Sequence, residues 1–363
     1  MRGSGPRIVV LAGLSDRMLD DSISPILAVE DAVVDVIRTN PGIEKRRVTY
    51  ICPPLALRRS RFLSLLWKLL VSIRLSMQVK MSCVFAMLVF PHLYLAFLIA
   101  TLARRPFIYM VVASDYEFKG KGRVLDWLTM KIVKRATKIL VSDNVTANHL
   151  VENGIPESRI EWYQRLDLIN LDRFFPMGLE RFTDLIVVSR LVPGKNVDIF
   201  VEIVARLKEA RPNIKAEIVG DGILRRDLER LVRDSGLLDN IRFLGYVPLP
   251  TTLNRILNSA KIFVLNSSHE GGPYTIYEAM AAGVCCVSSS VGEVSHVIDH
   301  GYNGFIVPKY DDVDAYVSIL TELLNDTKRL QETQGRAAEI KGRAKTSGLV
   351  QFWKDITLNK RRA

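Results

Sequence analysis

Three short stretches in the second half of the chain hold the residue types that anion chemistry needs. In Val188-Ser189-Arg190-Leu191-Val192-Pro193-Gly194-Lys195-Asn196, Arg190 and Lys195 can converge on one anion. Arginine does so as a planar fork and lysine as a point charge. Ile218-Val219-Gly220-Asp221-Gly222 reads as a strand turning tightly into a helix, with glycines that permit close backbone approach to a ligand. The third stretch runs from Glu270 through Gly271, Gly272, Pro273, Tyr274 and Thr275 to Glu278. Pro273 suits a first helical turn, so the N–H groups of Tyr274 and Thr275 would point at a phosphate. Glu278 then falls about one turn into that helix, within reach of ribose hydroxyls, and Glu270 precedes it. Singly, each has an ordinary alternative: solvated charges for Arg190 and Lys195, a helix-dipole partner for a lone Glu. In order, at the ends of successive strands, they point to phosphate binding.

The elements that must position these residues alternate as strand and helix throughout, the pattern of parallel sheets covered by helices. In the first half the pattern predicts strands at Arg7–Ala12, Arg47–Ile51, Cys83–Phe90, Phe107–Val112 and Lys138–Ser142. In the second half it predicts Asp184–Ser189, Lys215–Val219, Ile241–Gly245, Ile262–Leu265, Cys285–Ser288 and Phe305–Val307. Turn residues in Phe174–Gly178 mark a linker. The expected fold class is α/β, two Rossmann-like domains facing across a cleft. Residues 1–177 form the first, 178–345 the second, and 346–363 a solvated tail.

The order SRLVPGK, VGDG, then a Glu-x7-Glu pair with EAMAAG resembles the retaining GT-B glycosyltransferases of family 4. The continuation Val287–Gly292 and Ile298-Asp299-His300-Gly301-Tyr302-Asn303-Gly304-Phe305-Ile306-Val307 extends that resemblance over about residues 184–308. It implies retaining transfer of sugar from a nucleotide-sugar donor to an acceptor hydroxyl. By position, Arg190 and Lys195 would stabilise the donor diphosphate as charge grows on it. Glu270 would contact the donor sugar and Glu278 the ribose, while Gly271, Gly272, Tyr274 and Thr275 frame sugar and phosphate. The family normally needs no metal or other cofactor, and Asp311-Asp312-Val313-Asp314 reads as a helix cap. The chain also departs from the family. Where many members carry a Gly-Gly pair to hold the acceptor or donor phosphate it has Gly13 alone, its candidate donor-binding residue there, and where many carry His-Asp it has Ser114-Asp115. Asp115 is therefore a candidate cleft residue, or a simple helix cap. Where a Gly-Gly-x-x-Glu is common, His296 replaces the acid, and His92, His149 and His300 read as structural or surface residues. Two alternatives stay open: a non-catalytic glycosyltransferase-like partner subunit and a GT-B sugar-nucleotide epimerase.

The 363 residues are 48% hydrophobic and 25% charged, values that exclude a disordered, collagenous or coiled-coil chain. Four cysteines without CxxC spacing predict neither a disulfide framework nor zinc, and a reduced cytosolic setting. The apolar N-terminal run is too short for a signal peptide. Pro91 and His92 interrupt Met81–Ala103, which reads as a strand feeding a helix rather than a membrane span. The net charge of +11 is concentrated: Arg38–Lys80 holds ten basic residues and one acid, Glu44. Within it, Phe62, Leu65, Leu66, Leu69 and Ile73 recur at helical spacing beside Arg58, Arg59, Arg61, Trp67 and Lys68. Such a basic amphipathic helix (residues 57–80) suits an anionic membrane surface, or is a core-facing helix with a solvated basic side. No nucleic-acid-binding signature accompanies the charge. The expected partners are a nucleotide-sugar donor, a glycan or glycolipid acceptor at the cytosolic membrane face, and anionic lipid.

Overall fold

The computed structural model describes residues 5–78, 80–112, 123–268, 270, 272–343 and 346–358. It divides into two compact units, one of Met1–Ile169 with Lys345–Ala363 and one of Asn170–Ala344.

The first unit is built on seven parallel strands: β1 (Arg7–Ala12), β2 (Val33–Ile37), β3 (Val48–Ile51), β4 (Cys83–Met87), β5 (Phe107–Met110), β6 (Lys138–Val141) and β7 (Ile160–Trp162). Their order is β3-β2-β1-β4-β5-β6-β7, so the chain reverses direction across the sheet between β1 and β4. The helices are α1 (Asp16–Leu27), α2 (Leu55–Arg58), α3 (Arg61–Gln78), α4 (Tyr94–Ala103), α5 (Arg123–Val133) and α6 (Asn144–Glu152). Right-handed crossovers from a reversing strand order put α1 on one face of the sheet and α3 to α6 on the other. The two core clusters agree: Val9, Leu11 and Val84 pack with Leu93, Ile99 and Leu150, while Ile8, Val10 and Phe85 pack with Leu19 and Ile23. Two strands escape the hydropathy pattern, β2 and β7. In β2 the buried Asp35 interrupts the apolar run and is held by Arg7 at 3.2 Å. The three-residue β7 is a short edge strand.

The run Met81–Ala103 resolves as β4, a wide helical turn over Val89–Leu93, and α4. No described helix is long and apolar enough to cross a membrane. The stretch expected to be a solvated tail is instead α14 (Thr346–Leu358), part of the first unit. Its Trp353 is 1% exposed and meets Phe85 edge-on at 4.9 Å between ring centroids. An indole that finds a core position draws its helix onto the sheet.

The helix expected to be basic and amphipathic exists as α3, but with a different orientation. Leu65 and Leu69 pack on the core and Ser64, Lys68 and Ser72 are buried, whereas Phe62, Leu66, Leu70, Ile73 and Met77 are exposed. Arg59 and Arg61 are exposed. Lys68 is corrected from surface to interior: its ammonium donates to Thr39 Oγ1 at 2.7 Å. Trp67 and Arg58 are half-buried, the latter donating to the Pro53 carbonyl at 2.7 Å.

The second unit has six parallel strands: β8 (Thr183–Val188), β9 (Ala216–Val219), β10 (Ile241–Gly245), β11 (Ala260–Leu265), β12 (Cys285–Ser289) and β13 (Phe305–Val307). The order β10-β9-β8-β11-β12-β13 is the 3-2-1-4-5-6 arrangement of a Rossmann sheet, with its switch between β8 and β11. Helices α7 (Val197–Ala210), α8 (Arg225–Asp234), α9 (Pro250–Asn258), α10 (Tyr274–Ala281), α11 (Val294–Val297), α12 (Val313–Asn325) and α13 (Thr327–Ala338) complete it. Phe174–Gly178 is not a free linker. Phe174 is fully buried, and Asn254 and Asn258 accept from the Phe175 and Met177 amides at 3.2 and 2.7 Å. The contact boundary accordingly falls at residue 169 rather than 177.

Candidate active site

In open α/β sheets, loops leaving the carboxyl ends of strands at the switch point make the ligand crevice. In the second unit these are the loops after β8 and β11, and they carry Arg190, Lys195 and Glu270. Lys195 forms an ion pair with Glu270 Oε1, and Ser267 Oγ donates to the same oxygen at 3.0 Å. Both charged side chains are about one-seventh exposed (15% and 14%), open enough to meet a ligand and closed enough to keep their field.

The two loops are tied by their backbones. Asn196 Nδ2 donates to the Asn266 carbonyl at 3.1 Å, and Asn266 Nδ2 donates back to the Asn196 carbonyl. Asn196 takes the left-handed conformation, φ 48°, which asparagine tolerates better than most residues. The Ser268 amide and hydroxyl both donate to the Gly194 carbonyl, at 3.0 and 3.3 Å. Asn196, Asn266 and Ser267 carry no sequence signal of this role. A reciprocal amide pair between positions 70 residues apart leaves no local pattern.

Gly220 and Gly222 are required by the packing of the loops themselves. A Cβ on Gly220 would lie 1.8 Å from the Ser189 carbonyl oxygen, and one on Gly222 would lie 2.2 Å from that of Leu191. Gly220 also has φ 130°, open to glycine alone. The turn braces the Arg190 loop further, as Leu191 N donates to the Asp221 carbonyl at 3.0 Å. Asp221 is exposed, and its Oδ1 accepts from Gly222 N at 2.8 Å. Arg190 is exposed at the end of β8.

Pro273 stands immediately before α10 rather than inside its first turn. Tyr274 and Thr275 are the first two residues of the helix. Gly272 precedes Pro273, and Gly271 lies outside the described residues. Glu278 is on α10 and fully buried. Beside it, Tyr277 donates its hydroxyl to the buried Glu293 at 3.1 Å. His296 is exposed. Asp312 caps α12 by accepting from Ala315 N at 3.0 Å.

In the first unit, Gly13 follows β1 at the other switch point, and the His92 ring presses against it. His92 is not a surface residue; it is 7% exposed, and its pKa is pushed down to about 4 by burial, then by Lys68 and Arg38. Ser114 and Asp115 lie outside the described residues. Among the described residues, no group of three or more His, Cys, Asp or Glu could hold a metal ion. None of the four cysteines forms a disulfide, and burial raises Cys285 to about 12, as suits an inert core thiol.

Residues 175–340 match the family model described as glycosyl transferases group 1. The chain is 27% identical over 243 residues to a phosphatidylinositol N-acetylglucosaminyltransferase component of Arabidopsis thaliana, covering 62% of this chain and 54% of that protein. It is 28% identical over 173 residues to an Escherichia coli UDP-Gal:α-D-GlcNAc-diphosphoundecaprenol α-1,3-galactosyltransferase, covering 44% of each. The chain thus matches about half the length of these curated relatives. In fold, it is similar to Anabaena HepE, crystallised with UDP and glucose: TM-score 0.75 at 17% identity, over 97% of this chain and 99% of that one. The architecture is that of the GT-B glycosyltransferases.

Proposed function

We propose, for a chain whose residues 175–340 match the family model of the group 1 glycosyltransferases, that it moves a sugar from a nucleotide-sugar donor to an acceptor hydroxyl with retention of configuration. The acceptor is a lipid-linked or cell-envelope glycan at the cytosolic membrane face. The observation that carries this reading is the Lys195–Glu270 pair at the switch point between β8 and β11.

Breaking a glycosidic bond to a nucleoside diphosphate leaves negative charge on the departing phosphate. A cation fixed beside that oxygen stabilises the transition state more than the ground state. Lys195 supplies the fixed charge, Arg190 a second cation, and the α10 N-terminus two amides. Glu270, held by Lys195 and Ser267, faces the sugar hydroxyls, and Glu278 the ribose. This set needs no metal or other cofactor for the charge it must stabilise.

The membrane part of the reading is supported by α3. A stripe of exposed large apolar residues, Phe62, Leu66, Leu70, Ile73 and Met77, lies on a helix with no acidic residue and with Arg59 and Arg61 at its start. Buried apolar area together with attraction to anionic lipid is what holds an interfacial helix. The names of the Arabidopsis and Escherichia coli relatives also place a lipid in their acceptors. A thermal-shift panel of UDP-, GDP-, CDP- and ADP-sugars tests the donor side, since a bound ligand raises the unfolding midpoint. One nucleotide is expected to do so, and loss of that shift in Lys195→Ala places it at this site.

A further inference from the structure

Lys68 is an unusual lysine. It is 6% exposed, and its ammonium has a hydroxyl partner, Thr39, rather than a carboxylate among the described residues. A buried ammonium without a counter-charge is costly, and burial lowers its pKa here, with Arg38 lowering it further and the Cys52 thiol opposing. Proteins ordinarily bury a lysine only when it is paired.

The neighbours of Lys68 sharpen the anomaly. Thr39 follows β2, Cys52 follows β3, Gly13 follows β1 and His92 follows β4, so four adjacent strands deliver their carboxyl-end loops to one place. The charges there are Arg38, Arg58 and Lys68, all of which bear on the Cys52 thiol. Nearby carboxylates are engaged: Arg38 donates to Asp16 at 2.7 Å and to the Leu14 carbonyl at 3.2 Å, while Lys45 holds Asp20. His92 Nδ1 is buried with no hydrogen-bond partner among the described residues. Its ring faces the exposed Gly13, where an added Cβ would come within 2.7 Å of Cε1. This end of the sheet therefore holds an excess of positive charge and, among the described residues, an unpartnered buried imidazole nitrogen.

We propose that Lys68, Arg38 and His92, beyond the carboxyl ends of β1, β2 and β4, bind a phosphate-type anion carried by the acceptor. Lys68 supplies the counter-charge, Arg38 a second cation, and the neutral imidazole a hydrogen bond. The glycine at position 13 admits the His92 ring against the β1 loop, where a side chain would displace it. The assignment to the acceptor rests on the glycosyltransferase reading; the anion site itself stands on the first unit alone.

The test is calorimetric titration of the full chain with inorganic phosphate against chloride of matched ionic strength, in a Lys195→Ala background that silences the donor loops. Binding that weakens at least tenfold in Lys68→Met is the expected result. Lys68→Met is expected to fold, because it removes a buried charge and keeps the side-chain length; His92→Gln serves as a second variant and weakens binding severalfold. Flotation with phosphatidylglycerol and phosphatidylcholine vesicles separates the sources of the anion. A tenfold loss of phosphatidylglycerol binding in Lys68→Met identifies a lipid phosphate, and unchanged vesicle binding identifies a soluble one. Absence of phosphate binding, or equal binding by wild type, Lys68→Met and His92→Gln, overturns the proposal. The donor nucleotide shift is read separately in otherwise wild-type chain and in Lys68→Met: if it persists while phosphate fails, this inference falls and the donor reading stands. If phosphate binds and no nucleotide does, the reverse holds.

Discussion

Lys195 and Glu270 lie 75 residues apart in sequence and form an ion pair across the loops that leave β8 and β11. Each holds the other in place at the switch point of the second sheet. Removing one partner leaves the other charge mostly enclosed, at a cost of about 1–3 kcal/mol. Lys195→Ala and Glu270→Gln should each lower stability on urea unfolding, and the double variant should lose less than the sum. Additive losses would show that the pair is not energetically coupled.

Gly220→Ala should destabilise the second unit by more than about 1 kcal/mol, since φ 130° excludes a side chain and the Ser189 carbonyl occupies the Cβ position. The Ser189–Leu191 backbone must shift to admit the methyl, so donor affinity should fall with stability. Urea unfolding and nucleotide titration of the same variant check both.

Trp353→Ala should cost the first unit about 3–5 kcal/mol, the usual penalty for emptying a buried indole site. Truncation at residue 345 should be at least as damaging. Calorimetry is expected to show a lowered melting transition in either variant; an unchanged one would mean that α14 does not contribute to the core.

His92 gives the first unit a dependence on pH. Its folded pKa of about 4 lies below the unfolded value of 6.5, so between them the unfolded chain binds a proton that the folded chain does not. Stability is then full above pH 6.5 and falls as the pH drops toward 4. The loss between pH 7 and pH 5 from this residue is about 2 kcal/mol. His92→Gln should flatten that part of the profile in urea unfolding measured at both pH values.

The exposed stripe of α3 predicts that Leu66→Ser with Leu70→Ser weakens binding to phosphatidylglycerol vesicles severalfold and leaves the melting transition unchanged. A surface side chain contributes little to folding, whereas an interfacial one contributes its apolar area to the lipid. Flotation assays read the difference.

Most of the strands follow from hydropathy: the continuous or alternating apolar runs and the Glu-x7-Glu stretch are visible in the residues themselves, whereas the order of the strands in each sheet is not. What hides is whatever depends on distant partners. Val33–Ile37 is broken by Asp35, whose burial makes sense only with Arg7 beside it. The helical spacing around Trp67 groups Phe62 with Leu65 and Leu69, but packing divides them, because Ser64, Lys68 and Ser72 face inward. Two serines and a lysine carry no hydropathy signal for a buried face. VGDG is visible as a motif, yet only the 1.8 Å approach to Ser189 explains its first glycine. His92 has no helical or metal-binding context in sequence and gains one only when β1 and β4 become neighbours.

The rate of sugar transfer from the stabilising nucleotide-sugar by wild type, Lys195→Ala and Glu270→Ala tests whether the Lys195–Glu270 site is catalytic. Loss of one electrostatic stabiliser typically lowers kcat about 10²–10³-fold. Losses of that size are expected in both variants, with folded proteins and a product of retained anomeric configuration. Transfer at the wild-type rate by either variant would contradict a catalytic role.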